Sequence, residues 1–470
     1  MLKNVTLAGF FCLLPTPAAV AQPHFACGIR TGETTSDSAI VWVRLTERAE
    51  ADFDRLPMLS GGLPAGKTTR VGMPENVVPG MSGEARLRYW PIDRPARMRE
   101  TAWIRVDADS DYIHQFQLSG LQPGTEYQIE AAARESAVPQ PTRTIRGRFR
   151  TAPSADQAAA VRFVVSTCQA VRSIDSGVQG HRAYRQMQDL DPDFFVHTGD
   201  FLYYDKVPLC QSEAAARAKW NLMFAYHHNR RFLGGVSSYF MKDDHDTLKN
   251  DCWPGQRYGE LTFEDGLAIF RQQVSMGQRT WRTVRWGRDL QIWMTEHRDY
   301  RSPNPDPDGP DKTILGAEQK RWLLETLAAS DATFRIVITP GPLVGPDKPG
   351  KADNHSNPAF AHEGRQLREF LASQPNTLVI CGDRHWQYCS QDPQSGLPEM
   401  GCGPINDEHN FGGNPGYDAD WHRYFSARGG FLMVTVEGDQ MRADWYHASD
   451  PHWRAGRPPA ILHTELFSAE

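Results

Sequence analysis

Four groups of residues in this chain could do chemistry together, and each stands at the end of an apolar run. Cys168 closes "VRFVVSTCQ". Asp200 closes "DFFVHTGD", with Tyr203 three residues on. Asp243, Asp244, His245 and Asp246 close "SYFMKDDHD", and Asp383 and His385 close "NTLVICGDRH". Any one of them reads as a capped turn or a packing residue, because short motifs match by chance. Four in succession read differently. Acids gathered at the mouth of a sheet repel one another unless cations neutralise them, and open α/β sheets place their ligands at the strand ends. The pattern points to a metal site.

The elements that must position these groups follow from periodicity. From Cys27 to about Ala152 the runs are short and alternate, as in "SAIVWVRL", "YIHQFQLSGL" and "EYQIEAAA". That period of two, broken by Gly, Pro and Asp, predicts an antiparallel β-sandwich. "PSADQAAA" (153–160) reads as a linker. Beyond it, apolar strands alternate with helical stretches such as "GAEQKRWLLETLAAS" and "EGRQLREFLASQ", which predicts an α/β domain. "GGFLMVTVEGDQMRADWYHAS" reads as a closing hairpin. The expected organisation is a leader over 1–21, a sandwich over 22–155, a catalytic domain over 160–450 and an extension over 451–470.

At 470 residues, two domains are expected. A net charge of −6 without a basic block argues against a nucleic-acid scaffold role. The opening "MLKNVTLAGFFCLLPTPAAVAQ" carries Lys3, an apolar run and Ala19-Val20-Ala21, the pattern of a secretory signal cut before Gln22. No later segment is apolar enough to span a membrane, so the expected product is an exported monomer. Without Cys12, seven cysteines remain, an odd number for an oxidising compartment. Cys210 with Cys252, and Cys389 with Cys402, are expected as bridges, and Cys168 as the residue with another task. Cys27 and Cys381 stay unassigned.

The order of the motifs resembles the calcineurin-like metallophosphoesterases. "STCQ", "GDFLYY", "DDHD" and "GDRH", together with "TEHRDYRS", "TILGAEQ" and "VICGDRHW", resemble the PhoD-like alkaline phosphatases. "GLQPGTEYQIEAAA" resembles the tyrosine corner of fibronectin type III domains, with the Tyr127 hydroxyl tying the turn. The resemblance implies a fibronectin III-like sandwich before a two-sheet αββα domain. It implies a ferric ion on Cys168, Asp200, Tyr203 and His385, beside calcium on the bridging Asp200, Asp244 and Asp383. Oxygen donors of that kind suit calcium better than zinc.

His245 would face the phosphate as acid or charge stabiliser, oriented by Asp246, and Arg298, with Arg301, would clamp it. Glu296 and Asp299 are the acids that could instead pair with these arginines. His355, in "ADNHSNP", reads as a solvated loop histidine. The implied reaction is hydrolysis of phosphomonoesters, phosphodiesters or both by a metal-activated hydroxide attacking phosphorus. The alternatives are a phospholipase- or nucleotide-type phosphodiesterase on the same site, or a non-catalytic binding protein using the sandwich.

Overall fold

The computed structural model describes residues 22–56, 71–136, 139–410 and 414–469. The expected leader therefore lies outside the described residues. Two large β-sheets face each other. The first has nine strands in the spatial order Ala460–Ser468, Gln440–His447, Gly430–Glu437, Val161–Ser166, Phe194–His197, Ser237–Phe240, Ile29–Gly32, Ser38–Arg44 and Ile113–Ser119. The second has seven, in the order Arg282–Trp286, Leu290–Met294, Phe334–Thr339, Thr377–Cys381, Pro398–Cys402, Gln387–Gln391 and His422–Ser426.

Alternation along each strand explains the layers. Phe163, Val165, Phe194 and Val196 point between the sheets, against Ile292, Ile336, Ile338 and Ile380. Their neighbours Val164 and Phe195 point the other way, into a core with the helices Arg182–Asp189, Glu213–Ala225, His227–Leu233 and Phe263–Gln273. Gly316–Ala328 and Ala361–Ala372, the two stretches with helical periodicity, cover the second sheet through Leu323, Leu327, Leu367 and Leu371. Strands buried on both faces read as unbroken apolar runs, which is why their sequences lack polar alternation. The architecture is αββα.

The N-terminal region forms a β-sandwich, and one of its layers belongs to the large sheet. Ile29–Gly32 pairs in parallel with Ser237–Phe240, Thr31 opposite Ser237 and Gly32 opposite Ser238. The other layer is a five-stranded sheet in which Gly83–Pro91 lies beside Glu126–Arg134, and that strand beside Arg143–Arg150. Between them pack Val41, Val43, Phe116, Leu87, Ile129 and Phe149. The Tyr127 hydroxyl accepts a hydrogen bond from the Gln122 N–H at 2.9 Å, the tie that the corner motif implies. Gly430–Glu437 and Gln440–His447 form the closing hairpin, and Ala460–Ser468 adds a strand along its outer edge.

The expected disulfides are absent. All seven described cysteines are free and buried. In the antiparallel pair of Gln387–Gln391 and Pro398–Cys402, Cys389 stands opposite Met400 and Cys402 opposite Gln387. A diagonal placement separates Cα atoms by about 7–8 Å, beyond the usual reach of a disulfide. Cys252 Sγ lies 3.4 Å from the Asp244 carbonyl and Cys210 Sγ lies 3.8 Å from the Pro208 carbonyl, each in its own setting.

Candidate metal centre

Val161–Ser166, Phe194–His197 and Ser237–Phe240 run parallel, so their carboxyl ends open on one side. There the chain turns sharply. Cys168, Asp200 and Asp383 adopt left-handed backbone with φ of 47°, 56° and 58°, a conformation that costs a non-glycine residue of order 1–3 kcal/mol and concentrates at functional sites. Gly199, at φ 113°, is required: a Cβ there would lie 2.7 Å from Asp243 Cβ.

These turns gather three overlapping sets of donor atoms, each set lying within 4.8 Å: Cys168, Asp200 and His385; Asp200, Asp244 and His245; Asp200, Asp243 and Asp383. Asp200 belongs to all three. Tyr203 joins the first set through its hydroxyl, 3.3 Å from His385 Nε2, and Cys168 Sγ lies 3.7 Å from Asp200 Oδ2. Asp200, Asp243, Asp244 and Asp246 are all essentially buried. Burial first, and then Asp244, Asp243 and Asp246, hold the Asp200 carboxyl well above the usual carboxylate range. Burial first, then Asp200, likewise raises both the Cys168 thiol and the Tyr203 phenol well above their ordinary values. Asp243 Oδ2 and Asp244 Oδ1 receive no hydrogen bond. Like charges so crowded, with oxygens unserved, fit a site for cations.

The surroundings differ from expectation at several points. His245 Nδ1 is held at 2.6 Å by Asp205 Oδ1, not by Asp246. Asp246 instead accepts from the Phe201 and Asp243 backbone N–H groups at 3.1 and 2.7 Å and shapes the loop. Burial works against the His245 imidazolium, yet Asp244 and Asp205 outweigh it and raise its pKa. Arg298 is 2% exposed and is not free to clamp phosphate. Its Nε donates to Asp243 Oδ1 at 2.5 Å and its Nη2 to Asp353 Oδ2 at 3.3 Å, and Nη1 reaches the Cys252 carbonyl. Arg301 is spent on the Asp353 and His297 carbonyls and on Asn304. Glu296 and Asp299 pair with the buried Lys242, at 2.8 and 2.6 Å. His355 is 1% exposed and bonded to Glu363 at 3.0 Å, so it is a buried structural histidine rather than a solvated one.

Sequence reasoning missed several neighbours of the site. Arg384 contacts both Asp383 and Asp347. Lys351 lies 2.6 Å from Asp251 and 3.3 Å from Asp353. His409 Nε2 lies 2.8 Å from the Tyr203 hydroxyl. No spacing signal in "GPINDEHNF" announces that histidine; only its type, in a segment rich in polar residues, could have drawn attention.

Comparison with known proteins bears on the fold and the family. No curated protein matches in sequence. Among solved structures, the structure of PhoD matches at 16% identity and a TM-score of 0.73, over 96% of this chain and 92% of that one. The purple acid phosphatase PPD1 from yellow lupin (Lupinus luteus) seeds matches at 14% identity and a TM-score of 0.63, over 94% and 74%. These likenesses show the fold. The family profile "PhoD-like phosphatase" matches residues 267–434, and "PhoD-like phosphatase, N-terminal domain" matches residues 12–153. With both profiles in order on one chain, and the strand-end donors gathered around Asp200, this protein belongs to the PhoD-like phosphatase family.

Proposed function

We propose that the chain is an exported phosphatase acting on phosphomonoesters, phosphodiesters or both, with a mixed metal site. Cys168, Asp200, Tyr203 and His385 would hold a ferric ion, and Asp200, Asp244 and Asp383 a calcium ion. The observation that carries this reading is the sharing of Asp200 by three donor sets of different character. Thiol, phenol and imidazole suit a ferric ion, and clustered carboxylates suit calcium. Bound there, the two ions would supply Lewis acidity toward the phosphoryl oxygens and lower the pKa of water.

The chain's own groups divide the remaining work. His245, oriented by Asp205, offers its Nε2 beside the Asp244 carboxylate, 4.0 Å away, from where it can protonate the leaving oxygen or stabilise negative charge on the phosphoryl oxygens. Arg298 is a positioning residue in this reading. It holds Asp243 and Asp353 in place and does not touch substrate. Arg384 plays the same part for Asp383.

Two measurements on the purified protein test the proposal. Release of product from an aryl phosphate monoester and from a bis-aryl diester should stop on adding a calcium chelator and return with calcium. Elemental analysis should find iron and calcium. Full activity in a protein holding zinc alone would overturn the metal assignment, and inactivity on both ester classes with metals bound would overturn the substrate assignment.

A further inference from the structure

Tyr203 has a neighbour that the proposed ligand set does not use. His409 is fully buried, its Nε2 lies 2.8 Å from the Tyr203 hydroxyl, and the two rings stand 5.0 Å apart. The rings of His409 and His385 are 4.8 Å apart. Yet the donor set of Cys168, Asp200 and His385 does not include His409.

The turn that carries it is firmly built. Asn406 Oδ1 accepts from the His409 N–H at 3.2 Å, and Asn406 Nδ2 donates to the Ser173 carbonyl at 2.6 Å. The next residue back, Ile405, donates its N–H to the Cys168 carbonyl at 3.2 Å. Asp407 is pinned by the Gly429 N–H at 2.7 Å and by His447 at 3.0 Å. Gly429 is needed there, because a Cβ would lie 2.1 Å from the Asn406 carbonyl carbon. One short segment therefore ties the Cys168 loop to the ring that meets Tyr203.

We infer that His409 is a positioning residue that donates its Nε2–H to the Tyr203 oxygen and sets how strongly that oxygen donates to a bound metal. The inference rests on the reading of Tyr203 as a ligand. A phenol that binds a metal has lost its proton, and its oxygen can then only accept. The imidazole nitrogen at 2.8 Å must therefore carry the hydrogen. A hydrogen bond to a ligand atom draws charge away from the metal and fixes the ligand's orientation, and such outer partners commonly change metal affinity by about 10–100-fold. Removing it leaves a more electron-rich phenolate. Charge transfer from that phenolate to a ferric ion then needs less energy, and its visible band moves to longer wavelength.

The test is the visible spectrum and the iron content of the wild type, His409→Phe and His409→Gln, each purified whole. Phenylalanine keeps the packing and loses the donor, whereas glutamine keeps an amide N–H near the same place. His409→Phe is expected to retain iron with a red-shifted band and weaker iron affinity, and His409→Gln to stay close to the wild type. If His409→Phe does not fold, Asn406→Ala frees the same turn and carries the same expected shift. A band that stays in place in His409→Phe overturns the inference while leaving Tyr203 as a ligand. Loss of iron from both His409 variants overturns it by making His409 a ligand itself. A wild type that binds iron without any such band overturns the reading of Tyr203, and this inference with it.

Discussion

The two flanks of the candidate site are built on opposite electrostatic plans. On one side stand Cys168, Tyr203, His385 and His409, a thiol, a phenol and two imidazoles, and both imidazoles lie 2.8–3.3 Å from the phenol oxygen. Burial raises the thiol and the phenol and holds His409 well below the ordinary imidazole value, so each is favoured in its neutral form. On the other side stand Asp243, Asp244 and Asp353, whose charges Arg298 and Lys351 answer in part, leaving Asp243 Oδ2 and Asp244 Oδ1 without a hydrogen bond. Burial alone would raise Asp244 and Asp353, but those cations, with His245 beside Asp244, hold both carboxyls below their usual range. The first flank must shed protons to take a cation. On the second, Asp244 and Asp353 are held charged, while burial raises Asp243.

Variants that empty one flank at a time give the largest effects. Asp244→Ala should lose calcium and turnover together while keeping iron, and Cys168→Ser should lose iron and most turnover while keeping calcium. His245→Ala should keep both metals and lose turnover by about two to four powers of ten. Metal analysis beside kinetics reads the three apart. Loss of metal from His245→Ala equal to that from Asp244→Ala would make His245 a ligand, in line with its place in the second donor set.

A smaller effect tests the charged flank as a piece of the fold. Arg298→Met leaves Asp243 and Asp353 buried without their shared partner, and breaking a buried pair costs about 3–5 kcal/mol. Denaturant unfolding should show that loss without calcium, and added calcium should recover part of it. An unchanged midpoint would mean that Lys351, beside Asp353, suffices.

The smallest effect lies away from the metals, at Glu363, and asks whether ion pairing outside the site behaves like the charged flank. Burial pushes this carboxyl up, but His355, the Thr313 hydroxyl and the Ile314 N–H bring it down to about 2. A depressed carboxyl stabilises the fold above its unfolded value of about 4.3 and loses that contribution as pH falls toward 2. Glu363→Gln should therefore be less stable at pH 7 by about 2–3 kcal/mol. The gap to the wild type should close between about pH 5 and pH 2. A constant gap would assign the loss to packing.

Much of this was readable from the chain. Apolar runs ending in Cys, Asp and His marked the strand ends because strands buried on both faces are mostly apolar until they stop. Helical periodicity marked Gly316–Ala328 and Ala361–Ala372. What escaped depends on where separate loops meet. Asp205 and His245 come from different strand ends, and nothing local says that their side chains touch. Arg298 has the right chemistry for phosphate, but burial among three acids commits it elsewhere. The cysteine pairs misled because spacing along the chain says nothing about register, which here sets Cys402 opposite Gln387 and not Cys389. His409 lacked any motif, since its meaning comes wholly from the tyrosine it meets.

The parallel pairing of Ile29–Gly32 with Ser237–Phe240 has a consequence for how this chain is made. Its partners are about two hundred residues apart, and closing so wide a loop is among the slower steps available to a polypeptide. During synthesis, Thr31 must wait for Ser237 to leave the ribosome before its edge is covered. Until then Ile29–Gly32 is a strand with one open side. The sandwich that comes first in the sequence is thus completed only when the middle of the chain arrives, and its completion is coupled to that of the strand end bearing Asp243 and Asp244.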